Sequence, residues 1–208
     1  MAQYQNIEID EGIAKRVAGV AADVRRVKQM VPVLYDQEWA KTADLELATY
    51  YMHRNVEKKD GLRYDITIIP SFVLGLEPNK TLGHYHLGAG ELYIVLQGTA
   101  TLLVQEREEG KNDSVENCYY VIAQKGQALA IPNFAAHFTI NATKEPLVMA
   151  NWVKSDCKND YAPIEKMAGA CYYYTTDGWL ENRAYSHISQ LRQIQPLEKI
   201  PQNLDFLR

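Results

Sequence analysis

The chain has 208 residues, of which 47% are hydrophobic, and a formal net charge of −4. This length predicts one domain with a sizeable core, and the negative charge argues against a nucleic-acid-binding protein. No apolar run approaches the length of a membrane span, and the polar, acidic residues 1–10 do not resemble a signal peptide. The cysteines lack paired or metal-binding spacing, so we expect free thiols in a reducing cytoplasm: Cys118, Cys157 and Cys171.

The first part of the chain predicts one helix and one hairpin. Residues 11–30 carry apolar side chains at helical spacing, which predicts a helix that packs on the main domain. Residues 45–53 and 62–69 predict two strands, paired through a turn at residues 58–61. Residues 71–80 are expected to form a loop.

The rest of the chain predicts more short strands. The expected strands are 99–106, 118–123 and 147–153, with a charged hairpin tip at 107–117, a further hairpin at 171–180 turned at Asp177-Gly178, and a polar tail at 186–208. Many short strands and few helices predict an all-β fold, an antiparallel barrel or jelly roll. We expect one domain overall, with an N-terminal extension at 1–44, the barrel at 45–175 and the hairpin end and tail at 176–208.

The segment around His84 predicts a metal site. His84 and His86 are two residues apart, and residues i and i+2 of a strand point to the same face. Gly88 and Gly90 allow the chain to reverse, so that Glu91 can start the next strand and point to the same place. Imidazole and carboxylate groups suit a divalent transition metal.

A second segment supplies a fourth candidate ligand. His137 enters a predicted strand after a turn at Pro132-Asn133. The remaining histidines, His53 and His187, lack such a context and are expected at the surface or at an edge. Lys80 lies near the candidate site but is expected to be solvated.

These two segments resemble the paired motifs of the cupin family. Residues 84–98 match His-x-His, a short spacer, Glu, six residues and Gly; residues 126–141 match the second motif except that Phe134 replaces a glycine. The resemblance implies a cupin-type antiparallel β-barrel with one divalent transition metal per chain, held by His84, His86, Glu91 and His137. Fe, Mn, Ni or Zn would each suit these ligands.

Other segments resemble the archaeal-like, cupin-type phosphoglucose isomerases. They are residues 23–30, residues 34–41, the Thr81-x-Gly83-His84 sequence, Glu91-x-Tyr93 and Asp160-Tyr161, in the family's order and over roughly residues 13–175. This resemblance implies a homodimeric, cytoplasmic enzyme that interconverts glucose 6-phosphate and fructose 6-phosphate, with no nucleic-acid or membrane partner. Asn159 departs from the family, which often has histidine there.

The resemblance also implies roles for individual residues. Glu91 and Tyr93 are the candidate catalytic residues, and the candidate substrate and phosphate contacts are Thr81, Gly83, Tyr51 and Tyr161. Both an enediol route, with Glu91 as base, and a hydride shift remain open. Two alternatives also remain: another metal-dependent cupin enzyme, such as a dioxygenase or a different sugar isomerase or epimerase, and a non-catalytic sugar-binding cupin.

Overall fold

Strands are the main regular elements of the computed structural model, which describes residues 7–207. The strands are β1 Ala22–Arg26, β2 Ala48–Lys59, β3 Leu62–Ile69, β4 Val73–Leu74, β5 Glu77–Pro78, β6 His84–Leu87, β7 Glu91–Gln97, β8 Thr99–Arg107, β9 Ser114–Gln124, β10 Ala128–Ile131, β11 Ala135–Ile140, β12 Leu147–Lys154, β13 Lys158–Asp160, β14 Tyr172–Thr175, β15 Gly178–Glu181, β16 His187–Ile188 and β17 Arg192–Gln193. The helices are α1 Glu11–Val17, α2 Val27–Met30, α3 Gln37–Ala40 and α4 Ala162–Lys166, with 3-10 turns at Val31–Val33 and Asp205–Leu207. None of these helices is long and apolar enough to cross a membrane.

Two sheets form the walls of the barrel. One has the strand order β1-β2-β3-β12-β7-β10, and the other has the order β13-β6-β11-β8-β9-β16. All pairings within them are antiparallel except those of β16 and β17 with β9. The predicted all-β barrel is confirmed.

The first sheet alternates between two environments. On β3, Ile66 and Ile68 point outward into an apolar cluster that includes Ile13 and Val17 of α1. The residues that alternate with them, Asp65 and Thr67, line a cavity inside the barrel. Because side chains alternate along a strand, the same strand supplies a core on one side and a polar wall on the other.

The N-terminal helix is shorter than predicted. Only α1 is helical before Gly19, where φ is 83° and the chain turns, and residues 22–26 form β1 at the edge of the first sheet. The single helix predicted for residues 11–30 is therefore wrong. The predicted N-terminal extension at 1–44 begins outside the described residues. Its described part contributes the edge strand β1 to the first sheet.

The predicted hairpins are present with small shifts. β2 and β3 pair across Asp60-Gly61, as predicted, although β2 begins at Ala48. The predicted loop 71–80 contains the short strand pair β4–β5. The charged hairpin tip predicted at 107–117 is shorter than expected, because β9 begins at Ser114. In the β14–β15 hairpin the two-residue turn is Thr176-Asp177, one residue earlier than predicted, because Thr175 pairs with Gly178. This hairpin spans the expected boundary between the barrel (45–175) and the C-terminal segment (176–208).

The polar tail packs on its own barrel. β16 and β17 lie along the outer edge of β9, and Leu197 then bridges to Ala128 of β10 in the other sheet. Leu207 is fully buried in the outer apolar cluster. The tail therefore spans the seam between the two sheets.

Candidate metal centre and substrate cavity

Strand pairing brings the three histidines together. His84 and His86 share one face of β6, and His137 of β11 lies directly opposite His84 in the antiparallel register. The Nε2 atoms of His84 and His86 are 2.9 Å apart. The ring centroids of His84 and His137 are 4.6 Å apart, and one ligand atom from each of the three histidines lies within 4.8 Å of the others.

Glu91 reaches the same place from the opposite sheet. Its Oε2 atom is 3.4 Å from Nε2 of His86 and 3.2 Å from Nε2 of His137. The side-chain amide of Asn151, on β12, donates to Oε1 at 2.5 Å. Oε2 has no hydrogen-bond donor among residues 7–207. Asn151 thus holds the carboxylate so that its other oxygen points at the histidines.

Burial sets the charge of these ligands. It is the main cause that lowers the pKa of His84, His86 and His137, to about 4 for His86. The imidazoles are then neutral at pH 7, which is the form that binds a metal. Burial, and next the charge of Asp65, raise the pKa of Glu91. A cation between these donor atoms would offset the cost of burying the carboxylate.

The donor set therefore fits a divalent transition metal. Three imidazole nitrogens and one carboxylate oxygen, converging from both sheets, are ligands of the kind that such a metal prefers. The Nδ1 atoms of His86 and His137 are buried and have no partner in the part of the chain described. The Nε2 atoms are the converging ones, since those of His84 and His86 are 2.9 Å apart and those of His86 and His137 lie within 3.4 Å of Oε2 of Glu91.

Tyr93 lies against this cluster, as its strand parity with Glu91 predicts. Its hydroxyl is 3.2 Å from Nε2 of His137, and its side chain is buried. Burial, followed by the charge of Glu91, raises the pKa of Tyr93 well above its ordinary value. The phenol therefore keeps its proton at pH 7 and is available as a donor.

The cluster lies at the inner end of a narrow cavity of about 40 Å³. Seven of the predicted site residues line it: Thr81, Gly83, His84, His86, Glu91, Tyr93 and Tyr161. Sequence reasoning did not assign the other lining residues to the site: Tyr50, Met52, Arg54, Arg63, Asp65, Thr67, Asn151 and Asn159. Of these, only Asn159 was singled out, as a departure from the family. Strand alternation in β2 and β3, and an asparagine within the apolar run of β12, were signals for several of them.

The structure places Tyr51 outside this cavity. The alternation of β2 points Tyr50 and Met52 into the cavity, so Tyr51 points to the other side and packs against the outer apolar cluster. Tyr50 takes the inner position, where its hydroxyl accepts a hydrogen bond from the backbone N–H of Leu82 at 3.3 Å. The prediction that Tyr51 lines the pocket is wrong by one residue.

Thr81 and Gly83 are held by the neighbouring strand β11. The Thr81 hydroxyl oxygen accepts from the backbone N–H of Thr139 at 3.0 Å, so its proton remains available to an anion. Gly83 has φ of 79°, and a Cβ there would lie 2.0 Å from ring carbons of Phe138. Glycine is therefore required at this position by packing as well as by backbone conformation.

Two other predicted placements are wrong. Lys80 is buried, where it forms an ion pair with Glu77 and donates to the backbone oxygen of Val33 at 3.1 Å, so it is neither solvated nor in the cavity. His53 is also fully buried, with Nδ1 donating to the backbone oxygen of Val20 at 2.8 Å. His187 is exposed on the edge strand β16, as predicted.

Asn159 stands beside the metal ligands. β13 pairs with β6 so that Asn159 lies opposite His86, and its amide donates to the hydroxyl of Tyr161 at 3.2 Å. Its side-chain oxygen is buried without a hydrogen-bond partner in residues 7–207. Asn159 thus orients Tyr161 and offers one acceptor, but it has no titratable group.

The fold and this centre define a class of protein: a cupin-type barrel with a three-histidine, one-carboxylate site at the inner end of a polar cavity. A model of the family described as "Glucose-6-phosphate isomerase (GPI)" matches residues 21–190. This match covers most of the chain. The protein therefore belongs to the glucose-6-phosphate isomerase family.

Two glucose-6-phosphate isomerases align with most of the chain. The glucose-6-phosphate isomerase of Thermococcus onnurineus is 27% identical over 165 residues, which is 77% of this chain and 82% of the relative. That of Thermococcus gammatolerans is 26% identical over the same shares. Among solved structures, an oxalate decarboxylase of Lactobacillus farciminis in complex with formate overlaps 54% of this chain and 30% of its own, with 19% identity and a TM-score of 0.43.

Proposed function

We propose that this cavity interconverts glucose 6-phosphate and fructose 6-phosphate, with one divalent transition metal held by His84, His86, Glu91 and His137. Family membership supplies the reaction class, an aldose–ketose isomerisation by an isomerase. The observation that carries the proposal is the convergence of three neutral imidazoles and the carboxylate of Glu91 inside the cavity. When bound, the metal supplies positive charge that stabilises negative charge on the sugar oxygens.

The chain's own groups supply proton transfer in this proposal. Isomerisation moves a hydrogen between C1 and C2 of the sugar, and the nearest candidate base is Glu91, whose Oε1 is fixed by Asn151. Tyr93, which keeps its proton, is placed to donate to a sugar oxygen. Metal binding lowers the basicity of Glu91, so a direct hydride shift is the second route.

Binding of the sugar phosphate is assigned to cavity groups beside the metal ligands. The free hydroxyl proton of Thr81, the backbone at Gly83 and the hydroxyl of Tyr161 support this part of the proposal. Tyr50 replaces Tyr51 as the lining tyrosine of β2. Phosphate oxygens are strong acceptors, and these groups are donors.

The proposal extends to assembly and location. We propose a homodimer in the cytoplasm, as the resemblance implies. The three cysteines support a reducing compartment, since Cys118, Cys157 and Cys171 are all free thiols in the structure. Analytical ultracentrifugation of the metal-loaded protein measures the assembly state.

The experiment is an anaerobic assay of metal-reconstituted protein with fructose 6-phosphate, following glucose 6-phosphate. We expect turnover that a chelator abolishes and that a divalent metal restores. Oxygen consumption by the iron(II) form, without isomerisation, would instead identify a dioxygenase. Binding of fructose 6-phosphate that persists without metal and without turnover would identify a sugar-binding protein.

A further inference from the structure

We propose that Arg25 determines specificity for the phosphate group of the substrate, an inference that rests on the proposed function. Arg25 lies on β1 directly opposite Tyr50 of β2. Directly opposite residues of an antiparallel pair share one face of the sheet. Because Tyr50 lines the cavity, the side chain of Arg25 is on the cavity side of the sheet as well.

The contacts of Arg25 place its charge beside two tyrosines that line the cavity. Its guanidinium carbon is 5.5 Å from the ring centroid of Tyr161. Burial raises the pKa of Tyr50, and the nearby positive charge of Arg25 acts against this rise. Both tyrosines line the cavity, together with Thr81. The guanidinium therefore adjoins the groups that the proposed function assigns to phosphate.

Arg25 differs from the other arginines of this region because its charge is not balanced. Arg54 pairs with Asp23 at 3.0 Å and with Asp65 at 3.7 Å, and Arg63 pairs with Asp65 at 2.9 Å. Arg25 forms no ion pair with any residue in 7–207, and its Nε is buried without a hydrogen-bond partner there. A half-buried cation without an acid favours an anion from outside the chain.

A phosphate monoester matches this cation. It carries nearly two negative charges at pH 7 and presents oxygens that a guanidinium can bind through two parallel hydrogen bonds. Arg54 adds a second, partly neutralised cation at the cavity wall. Free sugars lack the negative charge, so Arg25 would distinguish phosphorylated from unphosphorylated sugars.

The neighbouring arginine is a matched control. Arg26 is the next residue of β1, but its side chain donates to the backbone oxygen of Glu46 and pairs with the exposed Glu46 carboxylate at 3.6 Å. Arg25→Met and Arg26→Met therefore remove the same charge from the same strand. Only Arg25→Met removes it from the cavity side.

The test measures affinity for inorganic phosphate by calorimetry and steady-state kinetics with fructose 6-phosphate, both on metal-loaded protein. For Arg25→Met we expect at least a tenfold weaker phosphate affinity and at least a tenfold higher KM, with kcat changed less than threefold. Arg26→Met should match the wild type in all three. Arg25→Lys, which keeps the charge but loses the two parallel hydrogen bonds, should be intermediate; it provides the test if Arg25→Met does not fold.

The outcomes separate this inference from the proposed function. If the Arg25 variants bind phosphate as tightly as the wild type, the inference is overturned even if isomerase turnover is found. Phosphate that binds only to the metal would give this result. No phosphate binding by the wild type also overturns it. If isomerisation is absent but phosphate binding depends on Arg25 and not on Arg26, the anion site stands while the proposed reaction fails.

Discussion

At the scale of single residues, the proposed metal site depends on four donor atoms and one supporting amide. His84, His86 and His137 come from paired strands of one sheet, whereas Glu91 comes from the other sheet. The amide of Asn151 fixes which oxygen of Glu91 faces the histidines. A change at any of these positions should alter metal binding before it alters the fold.

Replacing a histidine ligand tests the metal set. His86→Ala or His137→Ala removes one of the convergent nitrogens, so the purified protein should contain much less than one metal ion per chain. Elemental analysis of dialysed protein measures this. His187→Ala is the control, because His187 is exposed on β16 and should leave the metal content unchanged. Full occupancy in His86→Ala or His137→Ala would refute this ligand set.

Glu91→Gln separates the two roles of the carboxylate. Glutamine keeps the size and one oxygen but removes the charge and the basicity. If Glu91 is the base, turnover should fall by a factor of about 10² or more while much of the metal remains. Exchange of the C1 or C2 hydrogen with deuterated water should also stop. Turnover that falls only with lost metal, and returns at saturating metal, would show that Glu91 serves as a ligand alone.

The sequence located the ligand residues better than their surroundings. His84, His86 and Glu91 were predictable because a two-residue strand period and a glycine turn fix their directions within a short segment. Lys80 and His53 were misplaced, because their burial depends on partners far along the chain, Val33 and Val20. Asp65 and Arg54 were missed for the same reason, since each lines the cavity only once β2 and β3 join the sheet.

At the scale of elements, the start of β6 depends on Gly83. The positive φ of this residue lets the chain enter the strand, and the ring of Phe138 on β11 fills the space where a side chain would lie. A substitution at Gly83 would therefore disturb packing behind the strand in addition to any contact with phosphate. The loss of affinity expected from a bulky residue at this position is inseparable from a loss of stability.

Gly83→Ala should lower the free energy of unfolding by about 2–5 kcal/mol, the sum of left-handed backbone strain and overpacking. Denaturant unfolding of the metal-loaded protein measures it. Gly88→Ala is the control: its φ is 87°, but nothing lies within 4 Å of an added Cβ. It should therefore cost only the backbone term, about 1–2 kcal/mol. Equal losses in both variants would contradict the role of Phe138.

The N-terminal segment shows why one element was assigned wrongly. Its valines recur at a spacing that suits a helix, yet residues 22–26 pair with β2 as an edge strand. Tertiary pairing overrides a weak local preference when the neighbouring strand has unpaired backbone groups. Gly19, with its positive φ, was the available signal that the helix ends early.

At the scale of the whole molecule, the end of the tail packs on the outer face of the first sheet, next to the glycine segment before Glu91. Leu207 is fully buried, and a Cβ on Gly90, the residue before Glu91, would lie 3.7 Å from its Cδ2. Phe206, one residue earlier, is 51% exposed. The last described turn therefore packs against the glycine segment that delivers Glu91.

Leu207→Ala should lower the free energy of unfolding by about 2–5 kcal/mol, because it leaves a cavity beside this segment. Phe206→Ala is the matched control on the exposed side and should change it by less than about 0.5 kcal/mol. Thermal and denaturant unfolding of metal-loaded protein measure both. A Leu207→Ala protein as stable as Phe206→Ala would show that the tail does not support the barrel.

The position of the tail also affects the order of events during translation. The ribosome makes all four proposed ligands before residue 187, where the tail begins to cover the edge of β9. At about 5–20 residues per second, the 50 residues from His137 to His187 take roughly 3–10 s. During that interval β9 and β10 present uncovered strand edges, which are the usual starting points of intermolecular pairing. The nascent chain therefore still carries strand edges that favour aggregation after all four of its proposed ligands have been made.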